Sequence, residues 1–368
     1  MKFKTTVLEL KKAINNISPI INHNHSVLAF RYILIKKAGD KIEFKAYNDS
    51  SIGSGYVNYF EFEGEDVSAY ILGKHLFSLI NSFGKSEILF NIEEDYCSLK
   101  CGKSNYKLKL LEASIAKETL DDYEIPYEAP ADAREVCFET DKFIAAYNSI
   151  SHCISKDNAY KNLHNIFLVE DRMIACDKIK GATIKMEYGS PDGVSLHKTI
   201  CDCIVNMDGK YQVKLYYFDD RVYGVCEGFK FISAVDNDYP YDSFKPIIDN
   251  FFENKATFDI KLKFDPEEII DKLNRILILS DTDTNTVRVD FKGKELTLTV
   301  SGNAHGKEVI NIFENLGQDD LDMLVDGLSL KDVLSKSMQN TYWYSNGDDS
   351  VQYVYDGSLL QFFMGLDD

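Results

Sequence analysis

The sequence has no apolar run long enough to span a membrane, and its start, MKFKTTVLELKKAI, lacks the uninterrupted apolar stretch and cleavage site of a signal peptide. A cytosolic location with no membrane partner is expected. Positive charge is also scarce: 41 Lys and Arg against 59 Asp and Glu leave a formal net charge of -18. That total alone argues against a phosphate-rich partner, so the distribution of charge has to decide. Catalytic and metal motifs are missing too. FGKS from Phe83 and CGKS from Cys101 end like a phosphate-binding loop, but Leu79 and Cys97 stand where its first glycine is needed. DTDTNT from Asp281 opens like a calcium loop, yet Thr286 replaces the turn glycine and Lys292 the closing glutamate. His23 and His25 have no further ligand at useful spacing, and Cys201 and Cys203 point to different faces of a predicted helix. No GxSxG, HExxH or paired nucleophile and base occurs. The expectation is a protein that is not an enzyme and holds no cofactor or metal.

What is present is an ordinary globular composition, 45 % hydrophobic and 12 % aromatic, in 368 residues, enough for two or three domains. The eight cysteines mostly fall in apolar runs, as reduced core residues do.

One pattern occurs three times. RYILIKKAGDKIEFKAYNDSSIG from Arg31, HNIFLVEDRMIACDKIKGATI from His164 and NTVRVDFKGKELTLTVSGNAHG from Asn285 each read as an alternating strand, a short turn, a second strand and a polar loop. Each is preceded by an amphipathic helix, with stripes Val7, Leu10, Ile14, Ile17; Phe143, Tyr147, Ile150, Ile154; and Ile270, Leu273, Leu277. Thr140 or Asp141 and Asp265 with Pro266 are helix starts. Each hairpin is followed by a second helix and two or three strands. Boundaries fall in the proline-bearing stretches DDYEIPYEAPADAREV and DNDYPYDSFKPIIDN, giving domains at 1–130, 131–250 and 251–368. The fold class is α+β, with two helices and antiparallel sheets in each repeat.

On these residues the chain resembles the bacterial-type sliding clamps, the beta subunits of replicative DNA polymerases. The similarity runs the whole length and is clearest in NRILILSDTDTNTVRVDFKGKELTLTVSGNAHGKEVINI. Asn48, Asp49, Ser50 and Ser51 stand at the family's Thr-Asp-Leu-Glu loop, and Ala175 to Gly181 at its Ala-Thr-Asp-Gly-His-Arg-Leu segment, of which only Ala175 and Asp177 are retained. This marks a divergent member, as a phage-encoded copy would be. The resemblance implies a ring of two subunits joined head to tail, helices lining the hole, that encircles duplex DNA without sequence preference. It implies a processivity factor, with a replicative DNA polymerase and a clamp-loading ATPase as partners.

Residue roles implied by the resemblance follow. The DNA-facing positions are Lys11, Lys12, Lys74, Lys103, Lys142, Tyr160, Lys161, Lys198, Lys272, Arg275, Lys331 and Lys336, with His75 beside Lys74. Every expected lining helix therefore carries a basic residue, few enough to permit sliding. The dimer interface pairs Tyr106 and Leu108 of the first repeat with Ile278 and Leu279 of the third. The partner-peptide groove between the second and third repeats comprises Leu163, Cys176, Lys178, Ile179, Lys180, Gly181, Pro240, Phe244, Phe362, Met364, Gly365 and Leu366. In the tail QFFMGLDD, alternation turns Phe362 or Phe363 inward, Met364 and Leu366 form a groove wall, and Asp367 and Asp368 favour a positively charged peptide. The rival reading is a structural or receptor-binding protein of repeated α+β domains without DNA binding.

Overall fold

A computed structural model describes the chain apart from residues 85, 113, 116–124, 126–127, 188–192, 208, 236–237, 281–283, 302–303, 318–319, 339–340, 347–349 and 367–368. The first third contains β1 (Lys2–Thr6), α1 (Val7–Ile17), β2 (Tyr32–Ala38), β3 (Lys41–Tyr47), β4 (Ser51–Asn58), β5 (Glu61–Glu63), β6 (Ala69–Leu72), α2 (Gly73–Ser82), β7 (Glu87–Ile92), β8 (Tyr96–Cys101) and β9 (Ser104–Leu111). The middle third contains β10 (Arg134–Glu139), α3 (Thr140–Ile150), β11 (Asn165–Val169), β12 (Arg172–Cys176), β13 (Lys180–Lys185), β14 (Val194–His197), α4 (Lys198–Val205), β15 (Gln212–Phe218), β16 (Arg221–Cys226) and β17 (Phe229–Ala234). After α5 (Tyr241–Asn254) come β18 (Ile260–Lys263), α6 (Pro266–Ile276), β19 (Thr286–Lys292), β20 (Glu295–Ser301), β21 (His305–Asn311), β22 (Glu314–Asn315), β23 (Leu321–Asp326), α7 (Gly327–Leu334), β24 (Tyr342–Ser345), β25 (Val351–Tyr355) and β26 (Leu359–Leu366).

The expected repeat is present, with a strand more than anticipated. The polar loop after each first hairpin leads into a third antiparallel strand, so β2–β3–β4, β11–β12–β13 and β19–β20–β21 are meanders. Their first turns match. Gly39, Glu170 and Gly293 occupy the same place with φ of 61°, 51° and 64°, the left-handed conformation that two-residue hairpins require. The helices also start as expected: the Asp265 side chain accepts from the Glu267 amide at 3.0 Å ahead of Pro266, and Thr6 caps α1 through the Glu9 amide at 3.2 Å. At the second start, Thr140 is buried and holds β10 to the loop before β15, accepting from the Tyr211 amide.

Three readings are corrected. The buried stripe of α6 is Ile269, Leu273 and Ile276, one residue ahead of the Ile270 and Leu277 expected, which are only half-buried. The stretch read as a proline-bearing boundary contains α5, whose Phe244, Ile247, Ile248 and Phe251 lie at helical spacing despite Pro246. Both Phe362 (2 % exposed) and Phe363 (1 %) are buried, because β26 is covered on both faces. Phe363 packs edge-on to Trp343 with centroids 5.3 Å apart in one core, while Phe362 joins Cys176, Phe251 and Tyr353 in another.

Backbone contacts divide the chain into two compact units, Met1–Ile144 with Leu196–Asn237, and Ala145–Ser195 with Asp238–Asp368. In the first, strands run in the order β10-β15-β16-β17-β4-β3-β2-β6-β9-β8-β7-β1-β5, with α1 packed on β4 and beside α2 and α4. In the second, the sheet includes β11-β12-β13-β26-β23-β19-β20-β21, with α6 packed beside α7.

Candidate partner groove, helix faces and sheet edges

Gly181, Phe362, Phe244, Cys176, Ile179 and Met364, among the expected groove residues, meet at the β13–β26 junction. The register pairs Gly181 with Phe362 and Lys180 with Phe363, so the two rows face opposite ways. On the Phe362 side the ring lies across Gly181, where a Cβ would come within 2.2 Å of its Cζ. Phe244 packs on Phe362 with centroids 6.3 Å apart. Cys176 is fully buried in the same cluster, its thiol pushed up by burial and set against the Tyr239 hydroxyl. The rim is more open. Met364, Gly365 and Leu366 are half-buried, and the Met364 amide donates to the Ile179 carbonyl at 2.7 Å. Pro240 is half-buried, Leu163 is buried, and Lys178 lies 3.4 Å above the Tyr160 ring and 3.9 Å from Asp157. Asp177 ties the turn by accepting from the Ile179 and Lys180 amides at 2.8 Å each, and burial raises its carboxyl above the ordinary range.

Lys180 does not point into this surface. It shares the Phe363 row, is 7 % exposed, and its ammonium donates to Asp332 on α7 at 2.5 Å. Pattern reading missed Phe167, Tyr239 and Tyr241; the Phe167 ring packs against each tyrosine with centroids 4.9 Å apart. The aromatic spacing in DYPYDSF was the available signal. Asp367 and Asp368 lie outside the described residues.

The basic helix positions fall into two groups. Lys12, Lys74, Lys142, Lys161 and Lys336 are exposed, Lys103 sits at the exposed β8–β9 turn, and Tyr160 is 38 % exposed. In ion pairs on the helices stand Lys198 with Asp202, Lys272 with Glu268 at 2.6 Å, and Arg275 with Glu308 through two bonds of 2.9 and 3.2 Å. Lys11 caps the end of α2 by donating to the Phe83 carbonyl at 2.7 Å, and half-buried Lys331 neighbours Asp332. The six helices α1–α4, α6 and α7 together carry eight basic and seven acidic residues, so they are near neutral in a chain of -18.

Each unit also has a strand with an edge left unpaired among the described residues, over part of its length in the first unit. β9 pairs with β8 along its length, but on its other side with β6 only at Leu110 and Leu111 among the described residues. Tyr106 is 36 % exposed on that edge and Leu108 half-buried. β21 pairs with β20 alone among the described residues, an edge the sequence reading did not single out. Leu279 packs against it at Gly306, where a Cβ would meet Leu279 Cδ1 at 2.8 Å, and Ile278 beside it is 80 % exposed.

Among the described residues no group of three or more His, Cys, Asp or Glu could hold a metal ion, and no helix is long and apolar enough to cross a membrane. All eight cysteines are free thiols. Cys201 and Cys203 are both buried on α4 although they were expected to face different ways, because that helix is covered on more than one side.

No protein-family model matches the chain. It is 23 % identical over 280 residues to the beta sliding clamp of Helicobacter pylori, covering 72 % of each chain. Its structure superposes on the DNA polymerase III beta subunit of Thermotoga maritima with a TM-score of 0.84 and 16 % identity, over 100 % of this chain and 99 % of that one. The Pseudomonas aeruginosa beta subunit gives 0.79 and 16 % over the whole of both chains, and a Pseudomonas sliding clamp solved with griselimycin gives 0.80 at the same identity and coverage. The chain is thus a divergent protein with the fold of the beta sliding clamps throughout its length.

Proposed function

We propose that the protein is a DNA polymerase processivity factor, a non-enzymatic clamp that encircles duplex DNA and slides along it. The observation that carries this reading is the match of fold to sliding clamps over the whole of this chain. In this reading the repeats are domains at 1–130, 131–250 and 251–368. Two copies close head to tail, the open edge of β9 with Tyr106 and Leu108 pairing with β21 of the next copy beside Ile278 and Leu279. A heterologous contact of this kind ends only when the ring closes. The near-neutral helices suit movement along DNA: a few exposed lysines attract the backbone, and topology rather than affinity retains it.

Partners bind the rim around Met364, Leu366, Ile179, Pro240 and Phe244, where an apolar peptide side chain would seat on the Phe362 ring. Two such partners are a replicative DNA polymerase and the clamp-loading ATPase that opens the ring. The host or cell cytoplasm is the proposed location.

Light scattering after size-exclusion should give a dimer, and the loaded protein should remain on circular DNA and leave linear DNA. A strictly monomeric species with no ring in negative-stain images would overturn the architecture. Replacing Met364 and Leu366 with alanine should weaken polymerase binding and leave the dimer intact.

A further inference from the structure

β13, which enters the groove, opens on the same turn as β4 of the first unit. Ahead of β13 the Asp177 carboxylate accepts from the Ile179 and Lys180 amides at 2.8 Å each; ahead of β4 the Asn48 side-chain oxygen accepts from the Ser50 and Ser51 amides at 3.0 and 2.7 Å. Ser51 and Lys180 therefore hold the same place, each the first residue of its strand. In the first unit that residue closes on its own sheet, with Ser51 Oγ 2.8 Å from Ser233 Oγ of β17. In the second it is a lysine, 7 % exposed, whose ammonium leaves the sheet and donates to Asp332 of α7 at 2.5 Å.

Register shows what this lysine supports. Lys180 and Ala182 of β13 lie opposite Phe363 and Gln361 of β26, so these four share the face turned away from the Phe362 ring. α7 packs on that back face, where Phe363 shares a core with Leu330, Val333 and Leu334 of the helix. Each strand adds a polar tie to the same helix. On β13 it is the Lys180–Asp332 bond. On β26 it is Gln361, 1 % exposed, whose Nε2 donates to Ser337 Oγ at 3.1 Å just past the end of α7; Ser337 in turn donates to the Val333 carbonyl at 3.3 Å. An ammonium as deep as that of Lys180 is stable only while its partner holds it, and a charge-assisted bond fixes direction where an apolar contact does not. Lys180 also stands between two groove positions. Before it is the Ile179 carbonyl, which receives the Met364 amide at 2.7 Å; after it is Gly181, which the Phe362 ring covers. Holding the side chain from behind fixes both of these at the front.

We propose that Lys180 and Asp332 are a positioning pair for the partner groove, tying the β12–β13 turn to α7 so that the Ile179 rim and the Phe362 floor keep the shape a peptide requires. The proposal rests on the groove of the clamp reading. Neither residue meets the peptide itself; both act through the turn.

The test uses the full chain and two readouts. Asp332 is partly exposed, so Lys180→Met leaves a carboxylate that water can reach and is the gentler variant; Asp332→Asn strands the ammonium and is the harsher one. Hydrogen exchange comes first and requires no peptide. Lys180→Met should speed exchange at the Met364 amide and over Ile179–Gly181 about tenfold while the β19–β20 hairpin keeps its protection. Unchanged exchange at Met364, or a uniform rise through the unit, would overturn the proposal. The second readout is fluorescence anisotropy of a labelled peptide with leucine and phenylalanine anchors, well below the melting temperature. Lys180→Met should weaken binding about tenfold, and adding Asp332→Asn should weaken it little further, because the two residues act as one pair. If Asp332→Asn alone unfolds the chain, that comparison of Lys180→Met with the double variant still decides. A wild-type chain that binds, with affinity unchanged in folded Lys180→Met or with losses that add in the double variant, would overturn the pair and leave the groove standing. A wild-type chain that does not bind would overturn the groove reading, and the role of the pair with it.

Discussion

Two strand junctions in this chain follow one plan and are finished differently. In the first unit β17 joins β4, with Phe231 opposite Gly53 and Phe229 opposite Gly55; in the second β26 joins β13, with Phe362 opposite Gly181. Both omit a side chain where two layers come close. At Gly55 the close neighbour is helix backbone, the Ala13 carbonyl oxygen 2.4 Å from an added Cβ. At Gly181 it is the far end of the Phe362 ring. The first junction is therefore fixed by helix-on-sheet packing, whereas the second is closed by a side chain that can turn. The adaptable surface that the proposed partner groove needs is at the second.

The comparison breaks most clearly if the shared device is removed from behind. Phe363 backs Phe362 from the other face of β26 against Trp343. Phe363→Ala should cost about 3–5 kcal/mol by loss of burial and cavity formation, read as a shift in the denaturant midpoint. A cost below about 1 kcal/mol would mean that this core collapses freely around β26.

Next in size is Gly55→Ala. The methyl group relieves some unfolded-chain entropy, yet it must push the α1 backbone off the sheet, and backbone yields less readily than a ring. A net loss of about 2–3 kcal/mol is expected, at the upper end for overpacking. Crystallography of the variant should show α1 displaced.

A pH titration probes the rear of the second junction. His152 is held near a pKa of about 4, mainly by burial and then by the Lys180 ammonium. Its Nε2 lies 3.3 Å from Cys153 Sγ. The folded protein thus binds this proton less tightly than the unfolded chain, whose histidine titrates near the ordinary value. Stability is full above about pH 6.5 and falls as pH drops toward 4, by about 2–3 kcal/mol for this group. Asp177, raised by burial, acts in the opposite sense over the acid range. His152→Gln should flatten the slope of the unfolding free energy between about pH 6.5 and 4; an unchanged slope would place the acid sensitivity elsewhere.

Much of this was legible in the sequence because it is periodic or capped: the three hairpins, their short polar turns and the Asp265-Pro266 helix start all leave local marks. The third strand of each meander was hidden by its own polar character, as in Ser51–Asn58, whose small residues read as loop until β17 or β3 lies beside them. Helix α5 was masked by Pro246. The stripe of α6 slipped by one residue because Ile269 and Ile270 are adjacent and both apolar. At the groove, resemblance carried over Lys180 by position, but only register shows that its side chain shares the Phe363 face and reaches Asp332. Likewise, the burial of both phenylalanines in the tail follows from α5 covering one face of β26, a long-range fact with no local signal.

The sharpest use of the comparison is the smallest change. Gly181→Ala places its methyl group against the Phe362 ring, and the backbone there has no positive φ to conflict with alanine. The ring can rotate or shift, so the loss of stability should stay near about 1 kcal/mol, well under that of Gly55→Ala. Binding should respond more than stability does. If Phe362 is the floor on which an apolar partner side chain seats, displacing it toward Phe244 and Met364 should weaken polymerase-peptide affinity about tenfold, read by fluorescence anisotropy at fixed salt. A variant that binds as wild type while its crystal structure shows Phe362 moved would remove this ring from the recognition surface and leave the Met364 and Leu366 rim to carry it.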